Sequence, residues 1–432
     1  MKYPGRHESS GIELHSLPGP ENIHRVQLSN GITVLARPNF NSPSVVISGY
    51  HKSGSLFDPD DKLGLSDFTS AMLMRGTEKR RFQEIYDVLE SVGANLGFDS
   101  GTHTTGFGGR SLAEDIDQVL ELLSDSLLCP VFPMEYVERL RSQYLTGLAI
   151  RAQDTSEQSA MAFDQIVYAG HPYSRPEDGY PETIQAIRKE DLVDFHHRYY
   201  GPRGCVIAVV GAIEPQTAVD KITRVLGGWE NPDQPEPPPL PPVPPLTETV
   251  ERRVTISGKS QTDLIIGAAG PPRRSPDFVA ASLGNNILGQ FGMYGRIGEV
   301  VRQQAGLAYY AYSSLGGGTG PGPWDVSAGI HPENIDRAVD LIRAEITRFV
   351  EELPTEQELE DTKTNYIGRL PLSMESNGGV AASLLNLERY ELGLDYYLRF
   401  TDLIASVSRE EVLETARRYL HPDRLAVAMA GP

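Results

Sequence analysis

Asn286 to Ser313 reads N-I-L-G-Q-F-G-M-Y-G-R-I-G-E-V-V-R-Q-Q-A-G-L-A-Y-Y-A-Y-S and carries two backbone periods in one run. Ile287 and Leu288, then Ile297, Val300 and Val301, recur at helical spacing, which predicts a helix with its apolar side inward, ending near Gly306. Leu307 to Ser313 is rich in aromatics and predicts a strand, with Gly306 as the break between the two. Arg302 falls in the last helical turn, where a cation complements the helix dipole. Tyr309 falls early on the strand.

Outward from this stretch, the chain repeats itself. Y-Y-G-P-R-G-C-V-I-A-V-V-G-A, Tyr199 to Ala212, matches R-Y-L-H-P-D-R-L-A-V-A-M-A-G at the C-terminus, with Pro202 and Pro422 separated by 220 positions and Gly211 and Gly431 by the same 220. Ile116 and Ile335 are 219 apart, and Tyr144 and Tyr366 are 222 apart. An offset this steady indicates an internal duplication. Between the copies, residues 231–246 hold nine prolines, which excludes helix or inner strand and predicts an extended linker. The expected division is therefore 1–230, a linker at 231–246, and 247–432.

Each copy reads as strands, then helices, then a closing strand. In the first, Arg25–Arg37 and Ser44–Ser53 are strand-like around the turn Asn30-Gly31. Gly64–Arg75 and Phe82–Val92 are helical patterns, Thr102–Gly109 is a strand, and Ala113–Leu128 is an amphipathic helix. The second copy runs from Val254–Ala268 through the opening stretch to Trp324–Ile330 and Ile335–Val350. Elements segregated in this way predict an α+β fold, each domain a mostly antiparallel sheet covered by helices.

Composition narrows the function. With 39% hydrophobic and 22% charged residues the 432-residue chain is globular, and no apolar run is long enough to span a membrane. A net charge of −19 with scattered basic residues argues against nucleic acid as a partner. Cys129 and Cys205 each lie in an apolar run, which argues against a disulfide framework or a cysteine-ligated zinc site, and a cytoplasmic chain is expected. His196 and His197 are adjacent and so face different ways on a helix, and His171 reads as a structural loop residue. Gly316–Pro323 is glycine-rich but lacks the Lys and Ser/Thr of a phosphate loop, and predicts a flexible connection.

G-M-Y-G-R-I-G-E-V-V-R-Q-Q-A-G-L-A-Y resembles a signature of the pitrilysin, insulin-degrading enzyme and mitochondrial processing peptidase family. The resemblance implies two homologous domains forming half of a clamshell. It also implies that Arg302 and Tyr309, seven positions apart, are the family's R/Y pair, which helps polarise the scissile carbonyl. Active members carry H-x-x-E-H on the first helix of the N-terminal half, where two histidines on one helix face grip zinc and the Glu activates water. The matching stretch here is G-L-S-D-F-T-S-A-M-L-M-R-G-T, Gly64 to Thr77, and Asp67, Ser70 and Ala71 occupy the three motif positions. Ala71 cannot bind metal, and Ser70 is no general base. The family's third ligand, a Glu on a later helix, has no counterpart between Arg141 and Ile150, although Glu138 precedes that stretch; the repeat-related position near Ile287 is apolar.

These residues imply no metal in this chain. The expected function is the non-catalytic subunit of a heterodimeric zinc metallopeptidase that degrades peptides, with zinc held by a homologous partner carrying H-x-x-E-H. The alternative is a proteolytically inactive structural or peptide-binding protein, like the core subunits of respiratory complexes. Peptides in this family add as a strand to a sheet edge, and Gly101–Gly109 is the edge expected in the first half.

Overall fold

A computed structural model describes residues 17–290 and 295–432; Phe291 to Tyr294, inside the opening stretch, lie outside the described residues. Six strands, β1 (His24–Gln27), β2 (Thr33–Pro38), β3 (Ser44–His51), β4 (Asn95–Ser100), β5 (Thr105–Leu112) and β6 (Val206–Gly211), form one sheet in the order β1-β2-β6-β3-β5-β4. Five more, β7 (Val250–Thr255), β8 (Thr262–Ala269), β9 (Ala308–Gly317), β10 (Pro321–Ile330) and β11 (Ala426–Gly431), form a second in the order β7-β11-β8-β10-β9. Without β1 the first order becomes the second, strand for strand, so the duplication read from the offset is a duplication of topology. In each sheet the closing strand sits inside, parallel to one neighbour and antiparallel to the other: β6 between β2 and β3, β11 between β7 and β8. Both closing strands are buried throughout, which is why V-I-A-V-V-G and A-V-A-M-A-G read as continuous apolar runs.

The compact units are not the linear stretches 1–230 and 247–432. One comprises the described part of Met1–Leu145 with Glu177–Pro238 and Gly368–Phe400; the other comprises Thr146–Pro176, Pro239–Ile367 and Thr401–Pro432. Two helices explain the exchange. The helix Thr155–Val167 lays Ala162, Phe163, Ile166 and Val167 against Ala426 and Ala428 of β11, with Val254 and Ile265 beside them. Its repeat counterpart, the helix Asn377–Arg389, packs on β6 and β3, where Arg389 stacks 4.5 Å from the centre of the Tyr50 ring and Asn377 accepts from Asn39 at 2.7 Å. Each sheet is thus covered by a helix from the other side of the proline-rich segment. That segment has no regular structure, as its prolines require, but it is not simply a free spacer. Asn231 donates to the carbonyls of His197 and Tyr200, Gln234 exchanges hydrogen bonds with the backbone of Arg203, and Val243 and Leu246 pack on the second unit.

Three local expectations change. The expected edge, Gly101–Gly109, is mostly an inner strand: β5 pairs with β3 on one side and β4 on the other, and residues 101–104 are the turn between β4 and β5, closed by Gly101 N–H to Thr104 O at 3.0 Å. The true edge is β4, N-L-G-F-D-S, whose Asn, Gly and Asp mask the alternation of Leu96 and Phe98. The single helix expected from Ile287 to Gly306 is two segments. Phe278–Leu288 ends at Gly289, and a short π-helix, Gly298–Gln304, follows. The segments cross backbone to backbone: a Cβ on Gly295 would lie 2.2 Å from the Gly289 Cα. The flexible connection expected at Gly316–Pro323 is mostly strand: Gly316 and Gly317 end β9, Pro321 to Pro323 begin β10, and only residues 318–320 form the turn, held by Gly320 N–H to the Tyr173 hydroxyl at 2.9 Å.

Because backbone and not a flexible side chain blocks the space at Gly295, Gly295→Ala is expected to cost roughly 1 to 3 kcal/mol of stability. Urea unfolding monitored by circular dichroism measures it, and an unchanged midpoint contradicts the crossing.

Candidate functional site: a closed metal slot and a presented Arg-Tyr pair

In the first unit the helix Leu65–Met72 carries all three motif positions. Its start is set by Asp58, whose carboxylate accepts from Gly64 N–H at 2.9 Å and Ser66 N–H at 2.8 Å; burial pushes that carboxyl up to about 7 against these bonds. Gly64 sits at φ +94°, a left-handed conformation that favours glycine. Asp67 is half-buried and accepts from the Tyr144 hydroxyl at 2.7 Å, across from the helix Met134–Arg151. Burial drives its carboxyl up to about 6; the Tyr144 bond opposes the rise, and Asp178, Glu177 and Asp99 reinforce it. Ser70 turns its hydroxyl back onto the Asp67 carbonyl at 2.9 Å and is 2% exposed, and Ala71 offers no donor atom.

Glu138 pairs at 3.2 Å with Arg141 of its own helix. The side chain that reaches the motif helix from that later helix is Tyr144, a phenol that burial and the Asp67 charge keep protonated. Among the described residues no group of three His, Cys, Asp or Glu side chains is arranged to hold a metal ion. The geometry here suits a hydrogen-bonded carboxyl-phenol pair and not a hydrated Lewis acid.

The histidines are structural in their contacts. His196 is buried and bonds the Leu127 carbonyl at 2.8 Å, and burial lowers it to about 4. His171 accepts from Tyr173 N–H at 3.1 Å and caps a short turn. A group that the sequence reading passed over is His51, fully buried, bonded through Nδ1 to Ser53 Oγ at 3.0 Å and lowered by burial to about 3. Burial thus favours the neutral form of both rings, and His196 Nε2–H is the donor to the Leu127 carbonyl.

The second unit carries Arg302 and Tyr309. The π-helix packs on β9 and on the helix Ile335–Glu351 and buries Ile297 and Val301. The segment has two arginines with opposite fates. Arg296 is buried, holds Glu358 through two bonds of 2.6 and 2.9 Å, and lies over the Phe349 ring. Burial by itself would raise the Glu358 carboxyl, but the Arg296 guanidinium and Thr355 outweigh it and hold it at about 2. Arg302 is half-exposed and, among the described residues, has no acid partner; the nearby Glu299 accepts from Gln304 at 3.0 Å. The link to β9 is tight, with Gly306 N–H to Arg302 O at 3.2 Å and Leu307 N–H to Val301 O at 3.0 Å.

Tyr309 falls in an irregularity of the β9–β10 ladder: Tyr310 opposes Gly329 and Ala308 opposes Ile330, which leaves Tyr309 as the extra residue of a bulge. It is 81% exposed. Its neighbour Tyr310 is tied to Asp263, which also accepts from Thr155 and Gln261. The resemblance names both residues, and the structure places Arg302 on the π-helix and Tyr309 on β9. The bulge and the π-turn that present them leave no trace in apolar periodicity.

Two family models match the chain, Insulinase (Peptidase family M16) over residues 33–176 and Peptidase M16 inactive domain over residues 186–366. The chain belongs to the M16 peptidase family. It is 24% identical over 418 residues to an uncharacterised zinc protease of Streptomyces coelicolor, covering 95% of this chain and 90% of the other. It is 20% identical to a probable mitochondrial-processing peptidase subunit beta of Arabidopsis thaliana, over 100% of this chain and 82% of the other. Among solved structures it is similar to a peptidase M16 inactive domain from Pseudomonas fluorescens, with TM-score 0.89 and 25% identity over 95% of this chain and 98% of the other. A chain of complex III2 from Candida albicans shares the fold, with TM-score 0.76 and 15% identity over 94% and 95%.

Since the Asp67 carboxyl is raised in the fold, its contribution to stability is fully present below pH 4 and is lost as pH rises through about 6. Asp67→Asn removes this penalty and is expected to stabilise the protein at pH 8 by on the order of 1 to 3 kcal/mol, an advantage that vanishes below pH 4. Denaturant midpoints at the two pH values test the sign.

Proposed function

We propose that this chain is the non-catalytic subunit of a two-subunit zinc metallopeptidase acting on peptides. A homologous partner carrying H-x-x-E-H supplies the zinc, and this chain supplies Arg302 and Tyr309. The observation that carries the reading is the contrast between the two units. In one, the metal-motif positions are Asp67, Ser70 and Ala71, with Tyr144 bonded to the acid. In the other, Arg302 has no acid partner among the described residues and Tyr309 projects from a bulge. An Arg buried against an acid, as Arg296 is, can do no more than hold the fold. An exposed guanidinium and phenol near one another in the chain can donate to a carbonyl oxygen as it gains charge in the transition state. Zinc held by the partner's H-x-x-E-H would supply the activated water and a Lewis acid for the same carbonyl. The name of the Arabidopsis relative, subunit beta of a processing peptidase, supports a two-subunit assembly.

A second reading is favoured by the likeness to a chain of complex III2: a structural or peptide-binding protein that keeps the fold without proteolysis. Under that reading Arg302 and Tyr309 are dispensable.

Reconstitution separates the two. The purified chain alone is expected to show no chelator-sensitive peptide cleavage, and mixing with the zinc-motif partner is expected to give cleavage. In the mixture, Arg302→Ala and Tyr309→Phe should each reduce kcat by about 10²- to 10³-fold with assembly intact. Zinc-dependent cleavage by this chain alone overturns the proposal, and full activity of both variants moves the assignment to the second reading.

A further inference from the structure

The second unit contains a pocket of about 320 Å³ remote in sequence from Arg302 and Tyr309. Its lining is mostly apolar. Val167, from the exchanged helix, and Ala269, near the end of β8, line one side; Val243 and Leu246 of the proline-rich segment line the other, with Pro244 and Pro245 between them. The proline segment is a fixed wall, because Val243 and Leu246 are seated on the core of this unit. A cavity of this size, mostly apolar with a few polar side chains in its lining, is what small-ligand sites look like.

The polar part of the lining is basic in a protein of net charge −19. Four cationic or imidazole side chains reach it, and two are already engaged. Arg417 donates to the carbonyls of Val350 and Glu351, and Arg418 is paired with Asp277 at 2.6 Å. The other two are His421 and Arg424, which follow the end of the helix Arg409–Tyr419. Among the described residues neither has a carboxylate within ion-pair distance. His421 Nδ1 faces Asp423 N–H at 3.4 Å, which leaves Nε2 as the ring nitrogen that can meet a ligand. A guanidinium and an imidazole in the lining of an apolar slot suit an anion with an apolar body. A bare phosphate would leave the slot empty, and an alkane would leave Arg424 without a counter-charge.

We infer that this pocket is a binding site for a carboxylate with an apolar tail, its oxygens held by Arg424 and His421 and its tail seated among Val167, Val243, Leu246 and Ala269. Two sources share that chemistry, a free medium-chain fatty acid and the C-terminus of a short peptide ending in an apolar residue. The inference is independent of the Arg302 and Tyr309 assignment, and its readout is binding, so that either can fail alone.

The test is calorimetric titration of the full chain with octanoate and with the tripeptide Gly-Gly-Leu, against octan-1-ol, acetate and Gly-Gly-Leu amide as controls. At least one of the two acids is expected to bind saturably, with its uncharged counterpart at least tenfold weaker, and acetate is expected to show no binding. Which acid binds identifies the source. Arg424→Gln is expected to weaken binding by roughly tenfold, the scale of one charge-assisted hydrogen bond. Ala269→Leu, which fills the slot with an apolar side chain, is expected to abolish it while circular dichroism and the thermal midpoint show a folded protein. If octanol binds as well as octanoate and the amide as well as the acid, or if Arg424→Gln binds like the parent, the anion site is wrong. If neither acid binds at millimolar concentration, the pocket is only the crevice between the proline segment and the sheet.

Discussion

Both sheets depend on a strand that arrives last in sequence and is inserted in the middle. β6 takes its place between β2 and β3 only after more than 150 residues of intervening chain, and β11 does the same between β7 and β8. Until the closing strand is present, the remaining strands form two fragments with open inner edges, and the closing strand's own apolar run, buried throughout in the finished sheet, has no place to go. Pairing over such sequence separation is entropically costly and slow, so it must be secured by dense burial on both faces. The helices Thr155–Val167 and Asn377–Arg389 supply that cover, and each comes from the opposite side of residues 231–246. The exchange makes neither half of the sequence sufficient for its own sheet.

The closing strands also determine what lies farthest from them. β4 and β9 occupy the same edge of their sheets, and the two units use that edge and the helix beside it differently. In both, a tyrosine on a long helix reaches back to the earlier one: Tyr144 to Asp67 at 2.7 Å, Tyr366 to the Ser282 carbonyl at 3.1 Å and to Gln290 at 3.3 Å. The repeat has kept a phenol at this contact in both copies. What differs is the approach to the edge strand. The first unit enters β4 from a regular helix, Phe82–Ser91, whereas the second enters β9 from a π-turn and starts the strand with a bulge.

What the sequence reveals follows from what leaves a periodic mark. The duplication, the closing strands, the hairpin at Asn30-Gly31 and the helices ending at Leu128 and Glu351 are legible because apolar spacing or turn chemistry encodes them. β4 is not, because Asn95, Gly97 and Asp99 alternate with Leu96 and Phe98 on a strand whose burial is only partial. The break at Gly289 is not, because Ile287, Leu288, Ile297 and Val301 are all buried whether or not one helix joins them; inward-facing residues on two crossed segments can mimic a single stripe. The exchanged helices are invisible to any reading that assigns domains by a linker, since nothing in an amphipathic pattern names the sheet it will cover. At the site, Arg302, Tyr309, Asp67, Ser70 and Ala71 are named by their match to the family motifs, which mark positions and not contacts. Tyr144 was legible as a repeat landmark but not as the group that bonds Asp67, because its role depends on two helices 77 positions apart meeting.

Arg296 and Arg302 show how this fold separates holding from presenting. A buried guanidinium costs several kcal/mol of desolvation unless it is paired, and Arg296 offsets that cost through Nε and Nη2 to Glu358 and over the face of Phe349, while Nη1 has no hydrogen-bond partner among the described residues and lies 4.0 Å from Glu345. That anchor fixes the start of the π-turn. One turn later the wider π-helical spacing places Arg302 where none of the described acids meets it, and the bulge does the same for Tyr309 by removing it from the ladder. Both irregularities give up regular hydrogen bonding, and neither is needed to bury Val301 or Ala311, which an ordinary helix and strand would bury as well. Local structure that is less stable than its regular alternative persists where the surroundings over-determine it, and here the surroundings are the Arg296–Glu358 pair on one side and the Tyr310–Asp263 bond on the other. The two irregularities carry the two side chains that the family resemblance singles out.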